Sequence, residues 1–132
     1  MARNRLPQAP YYARAMGLFR RGKKAVIPGN PVDDETLRAI GERSDLTLPR
    51  NWIHYIYCAD EAGARVIAAA ASQDGWDLQR VDHAASGTGW VVIAEKEGVV
   101  VTPERVLSAR TFFERLALTV PGGDYDGWEA SI

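Results

Sequence analysis

Cysteine is almost missing from this chain: Cys58 is the only one in 132 residues. No intrachain disulfide can form, so a disulfide-stapled secreted scaffold is excluded. Long apolar runs are missing too. The longest, "VIAAAA" (residues 66–71) and "WVVIA" (residues 90–94), fall far short of the roughly 20 residues that span a bilayer. The N-terminal arginines lead into no apolar signal core, so no membrane association and a cytoplasmic location are expected. Histidine occurs twice. His54 and Cys58 fall on one strand face, but no paired-ligand spacing joins His83 to them, so a metal site is not expected. Acid is wholly lacking from residues 1–24, which hold seven bases: Arg3, Arg5, Arg14, Arg20, Arg21, Lys23 and Lys24.

That last absence divides the chain. Of 16 bases and 17 acids in all, residues 25–132 keep 9 bases and every acid, a net of −8. A basic arm precedes an acidic body. With Tyr11, Tyr12 and Phe19 among its charges, the arm could contact RNA through phosphates and stacking, or lie on its own body.

What is present describes one domain. A hydrophobic content of 46% over this length supports a single core. Pro7, Pro10, Pro28 and Pro31, with Gly17, Gly22 and Gly29, break residues 1–32 into an extended arm with at most a short helical turn near residues 11–20. A short helix follows from about Val32, capped by Asp33 or Asp34, with Leu37 and Ile40 as its apolar stripe. Residues 1–50 are thus predicted to be arm and capping helix, and residues 51–132 the main domain.

In that domain, "WIHYIYCA" (residues 52–59) is apolar on both alternating faces and predicts a central strand. Residues 60–75 predict a helix capped by Asp60 and stopped by Gly75. Residues 76–83 alternate as a half-buried, peripheral strand, "ASGTG" turns, and residues 90–97 form a second central strand. Thr102 and Pro103 open the clearest helix, in which Val106, Ala109, Phe113, Leu116 and Val120 share one face. Trp128, Ala130 and Ile132 alternate along a closing edge strand. Strand–helix–strand–strand–helix–strand, with the first and third strands central, predicts an α+β ferredoxin-like antiparallel sheet of order 4-1-3-2 with two helices on one face. The other face, carrying Tyr55 and Tyr57, then needs a cover. Residues 33–50, a second copy of the chain, or a partner are the candidates.

No nucleophile motif surrounds Cys58, and "GTG" (residues 87–89) turns a hairpin rather than opening a helix, so it is not a phosphate loop. No aromatic ribonucleoprotein motif is present. No cofactor and no enzymatic activity are expected. Asp124, Asp126 and Glu129 read as an acidic patch that discourages edge pairing or meets a basic partner segment. With Tyr55, Tyr57, Tyr125 and Trp128 they make up the candidate partner-binding residues.

The closing "YDGW" (residues 125–128), reached from a capped helix after a βαββα run, together with the "DGW" step at residues 74–76, resembles the regulator of ribonuclease E activity B, the ribonuclease E inhibitor family. The likeness covers about residues 50–132. It implies a ferredoxin-like fold and a non-enzymatic role, binding a ribonuclease E type endonuclease and lowering RNA cleavage. The alternative is direct RNA binding through the basic arm and the open sheet face.

Overall fold

A computed structural model describes residues 12–14, 30–85 and 87–132 of the chain. Strand β1 (Tyr12–Arg14) is followed by α1 (Pro31–Arg43), β2 (Arg50–Cys58), α2 (Glu61–Gln73), β3 (Asp77–His83), β4 (Trp90–Val99), α3 (Pro103–Ala117) and β5 (Asp124–Ser131). The sheet runs β1-β5-β2-β4-β3 with every pair antiparallel. Its last four strands reproduce the expected 4-1-3-2 order. β1 is an addition, since it pairs with Glu129–Ser131 and takes over the outer edge of β5 that the alternation of β5 alone had left open.

Local signals account for the helix starts. The β-branched and aromatic run of β2 cannot pack its side chains in a helix without losing rotamer freedom. Asp60 accepts the Gly63 N–H at 2.9 Å and caps α2, and Thr102 accepts from the Arg105 N–H at 3.1 Å ahead of Pro103 in α3. The first helix starts differently from expectation. Asn30 caps it, its side-chain oxygen accepting from Val32 N–H (2.8 Å) and Asp33 N–H (3.2 Å), and Pro31 fills the first helical position. Asn30 comes directly before a proline whose fixed φ suits the first turn, so the helix begins at Pro31, its cap lies three residues before Asp33, and Asp33 is freed for other work.

α2 packs on β3, β4 and β2, whereas α3 packs on β5 and β2. α1 lies beside α3 on that same face: Asp33 of α1 receives bonds from Arg110 of α3 and from Trp128, a core residue of β5. Three helices therefore share one face, and residues 33–43 do not cover the other. Leu37 and Ile40 join Trp52, Ile56, Ile67, Phe113 and Trp128 in one core. Each such fully buried large side chain contributes roughly 1.5–3 kcal/mol. Arg50 ties the α1–β2 link to the end of β5, donating to Ser131 O at 2.9 Å and to Asp45 O at 2.5 Å.

The turn between α3 and β5 depends on glycine. A Cβ at Gly123 would overlap the Ala117 carbonyl oxygen, and Gly122 holds φ +66. No side chain other than hydrogen lets the chain fold back that tightly.

Candidate functional site

Antiparallel pairing of β2 with β5 gathers most of the candidate residues. Tyr57 stands opposite Asp124 and Ile53 opposite Glu129, and the register shifts between His54 and Ile56. Gly127, with φ +97, lies in the extra stretch of β5 that this shift creates, as a bulge requires. Strand alternation then turns Tyr55, Tyr57, Asp124, Asp126 and Glu129 to the face opposite the helices. The Tyr55 hydroxyl donates to Glu129 Oε2 at 2.6 Å, fixing the two strands to each other across that face. Tyr55, Tyr57, Asp126 and Glu129 are half-buried and Asp124 is exposed. Farther along the same face Glu95 is buried, where it accepts from Gln79 Nε2 at 3.1 Å.

The remaining two candidates lie inside. Tyr125 is 4% exposed and Trp128 is fully buried. The Trp128 indole donates to Asp33 Oδ1 at 2.9 Å, and the same carboxylate receives the Arg110 guanidinium at 2.6 and 2.9 Å. Arg110 in turn lies 5.0 Å over the Tyr125 ring and donates to Glu114 at 2.8 Å. The Tyr125 hydroxyl is 2.7 Å from His54 Nδ1. His54 stacks on Phe113 at 4.7 Å and meets the Trp52 and Trp76 rings edge-on. "YDGW" thus alternates its work. Tyr125 and Trp128 anchor the strand inward, and Asp126 points outward through the bulge.

Electrostatics follow burial. Desolvation, helped by the Arg110 and Lys96 charges, holds the His54 imidazole well below its ordinary 6.5, so it stays neutral. Desolvation also holds the Tyr125 hydroxyl well above its ordinary value. Burial alone would lower the Arg110 guanidinium, but the hydrogen bond and charge of Asp33 outweigh it and raise it. Cys58 is buried, with its thiol pushed up by desolvation and donating to Asp60 O at 3.4 Å. His83 packs on Trp90, 4.4 Å between rings, in a different part of the sheet from His54. Among the described residues no cluster of three metal-ligating side chains forms.

Sequence reading passed over Asp33, Arg110 and Glu95. The sequence predicts Asp33 or Asp34 as the cap, because acids favour first turns. A sharper signal was available, since Asn30-Pro31 is itself a complete cap and leaves an acid on the Leu37–Ile40 side of the helix. The basic segment proposed for RNA contact lies outside the described residues, apart from β1.

The fold is that of a small ferredoxin-like α+β domain. A family model described as regulator of ribonuclease activity B matches residues 31–130. The chain belongs to that family, and the match takes in α1 as well as the four-strand unit. No curated protein matches the chain. No helix among the described residues is long and apolar enough to cross a membrane.

Proposed function

We propose that this protein is a non-enzymatic regulator that binds a ribonuclease E type endonuclease in the cytoplasm and lowers its cleavage of RNA. Membership of a family of ribonuclease regulators carries the general reading. The observation that supports a binding mode is the joining of Tyr55, Tyr57, Asp124, Asp126 and Glu129 on one face of β2 and β5. Tyrosines and carboxylates together suit a basic, Arg-rich segment of a partner. The rings accept guanidinium faces, and the acids steer the encounter and fix its register. Phosphate is repelled by the same acids, so the surface favours a protein ligand over RNA.

Retention of the host ribonuclease E type enzyme on immobilised full-length protein at low ionic strength, with slower cleavage of a model RNA in its presence, is the expected result. Complete lack of retention at low salt removes the partner assignment and leaves the fold untouched. A shift of RNA alone by the protein would instead favour direct nucleic-acid binding.

A further inference from the structure

On the helix side of the sheet a cleft of about 590 Å³ lies between Asp74, the C-terminal cap of α2, and Arg105, Ser108 and Phe112 of α3. That volume falls in the range of about 300–1,000 Å³ that accommodates a small molecule. Trp52 of β2 and Trp76, 3% and 4% exposed, form part of its wall, and Lys96 of β4 joins them. The charge of the lining is opposite to that of its surroundings. Lys96 and Arg105 stand against the single carboxylate of Asp74, a net of +1, on a body whose residues 25–132 sum to −8.

Asp74 is already engaged, its Oδ2 accepting from the Trp76 indole at 3.0 Å. The two cations have no acid of their own. Among the described residues no ion pair uses Lys96 or Arg105. The Lys96 ammonium is half-buried, 4.4 Å from the centre of the Trp76 ring. Arg105 donates one N–H to Val100 O at 2.8 Å and keeps the rest of its donor fork. A positive charge held beside a ring and partly out of water attracts an anion more strongly than a fully solvated one does. Trp52 adds a further donor: its indole N–H is buried with no acceptor among the described residues, which costs stability until an acceptor reaches it.

We propose that this cleft binds a small organic anion, its carboxylate or phosphate head held between Lys96 and Arg105 and its apolar body lying against Val99 and Phe112. A neutral molecule of the same shape forgoes the charge pairing, and a polyanion such as RNA meets the acidic body around the cleft. The cleft is on the other side of the sheet from Tyr55, Tyr57 and Glu129, so the site stands or falls independently of the ribonuclease reading.

The test titrates three probes that share one ring, phenyl phosphate, phenylacetate and benzyl alcohol, into isotope-labelled full-length protein up to about 10 mM, a range suited to ligands of this size. The four indole N–H signals are the reporters. Those of Trp52 and Trp76 are expected to shift and saturate with an anionic probe, while those of Trp90 and Trp128, which do not line the cleft, stay in place. Benzyl alcohol is expected to bind about tenfold more weakly. Whichever anion binds more tightly identifies the head group. No saturable shift of Trp52 and Trp76 with either anion, shifts of all four indoles alike, or equal binding of benzyl alcohol overturns the site. Lys96→Gln/Arg105→Gln, with folding checked by its melting transition, is expected to weaken anion binding about tenfold. Arg105→Gln alone, at an exposed position, gives a loss in the same direction if the double variant does not fold. Unchanged affinity in a folded variant overturns the proposal.

Discussion

Asp33 and Arg110 stand 77 residues apart in the chain and meet in the interior through two hydrogen bonds, 2.6 and 2.9 Å, from guanidinium to carboxylate. Their side chains are 3% and 12% exposed. The fork geometry of arginine matches both carboxylate oxygens, and the Trp128 indole uses Oδ1 as well. α1, α3 and β5 are therefore pinned at a single carboxylate.

Removing that carboxylate is expected to be severe. Asp33→Ala leaves Arg110 charged and desolvated and the Trp128 N–H without its acceptor, a loss of about 3–5 kcal/mol. Chemical denaturation measures it directly. The double variant Asp33→Leu/Arg110→Met, which removes both charges and fills the space, is expected to recover a large part of that loss. Recovery no better than the single variant would show that the pair does more than hold itself together.

Stability is expected to form a plateau bounded by His54 and Tyr125. His54 is neutral in the fold, with its pKa depressed below 6.5, while the unfolded chain takes up a proton at that value. Its contribution is therefore complete above 6.5 and is lost as pH falls below it, by about 1.4 kcal/mol per pH unit for one proton. Tyr125 keeps its proton in the fold, its pKa being raised above 10.0, so stability also falls as pH rises past 10.0. Melting temperatures followed across pH check both limbs. His54→Phe, which keeps a ring in the aromatic cluster, should flatten the slope just below 6.5 and leave the alkaline limb.

The turn before β5 offers a purely steric test. In Gly123→Ala the added methyl meets the Ala117 carbonyl, a backbone atom that α3 holds in place. The change is expected to cost several times the roughly 1 kcal/mol of an ordinary glycine substitution, because the strain falls on backbone at both ends. Urea unfolding gives the number, and a loss below about 1 kcal/mol would mean that α3 unwinds its last turn without penalty.

The four-strand order was legible because central and edge strands differ in pattern. Trp52–Cys58 and Trp90–Ala94 are apolar on both faces, and that marks them as interior whatever their neighbours do. The helix caps at Asp60 and Thr102 were legible for the same local reason. β1 was not, since three residues between prolines and glycines have no periodicity, and their pairing depends on β5, more than a hundred residues away. The Asp33–Arg110–Trp128 join was hidden likewise: local rules assign an acid in a first turn to the helix dipole, and only the packing of α1 against α3 gives it another partner. Among the site residues, alternation placed Trp128 inward and Glu129 outward. The bulge at Gly127, which sends Asp126 to the same face as Glu129, interrupts that alternation and is visible only in the register with β2.

The two sides of β5 can be separated by experiment, and that separation decides how the closing motif acts. Trp128→Ala removes a fully buried ring and the bond to Asp33, so about 3–5 kcal/mol is lost and the fold fails before binding can be read. Asp124→Lys/Asp126→Lys changes outward side chains on a strand that β2 and β1 hold in register, so stability should move by about 1 kcal/mol or less. Binding responds in the opposite order. Reversing two charges where a basic segment is proposed to dock turns attraction into repulsion, and retention of the ribonuclease E type enzyme at low salt is expected to fall at least tenfold. Most of the change should appear in the association rate, because steering acts on encounter, and the dependence on ionic strength should shrink with it. A charge-reversed protein that stays folded and retains the enzyme as the wild type does would move the interface away from β2 and β5, leaving "YDGW" as a purely structural motif.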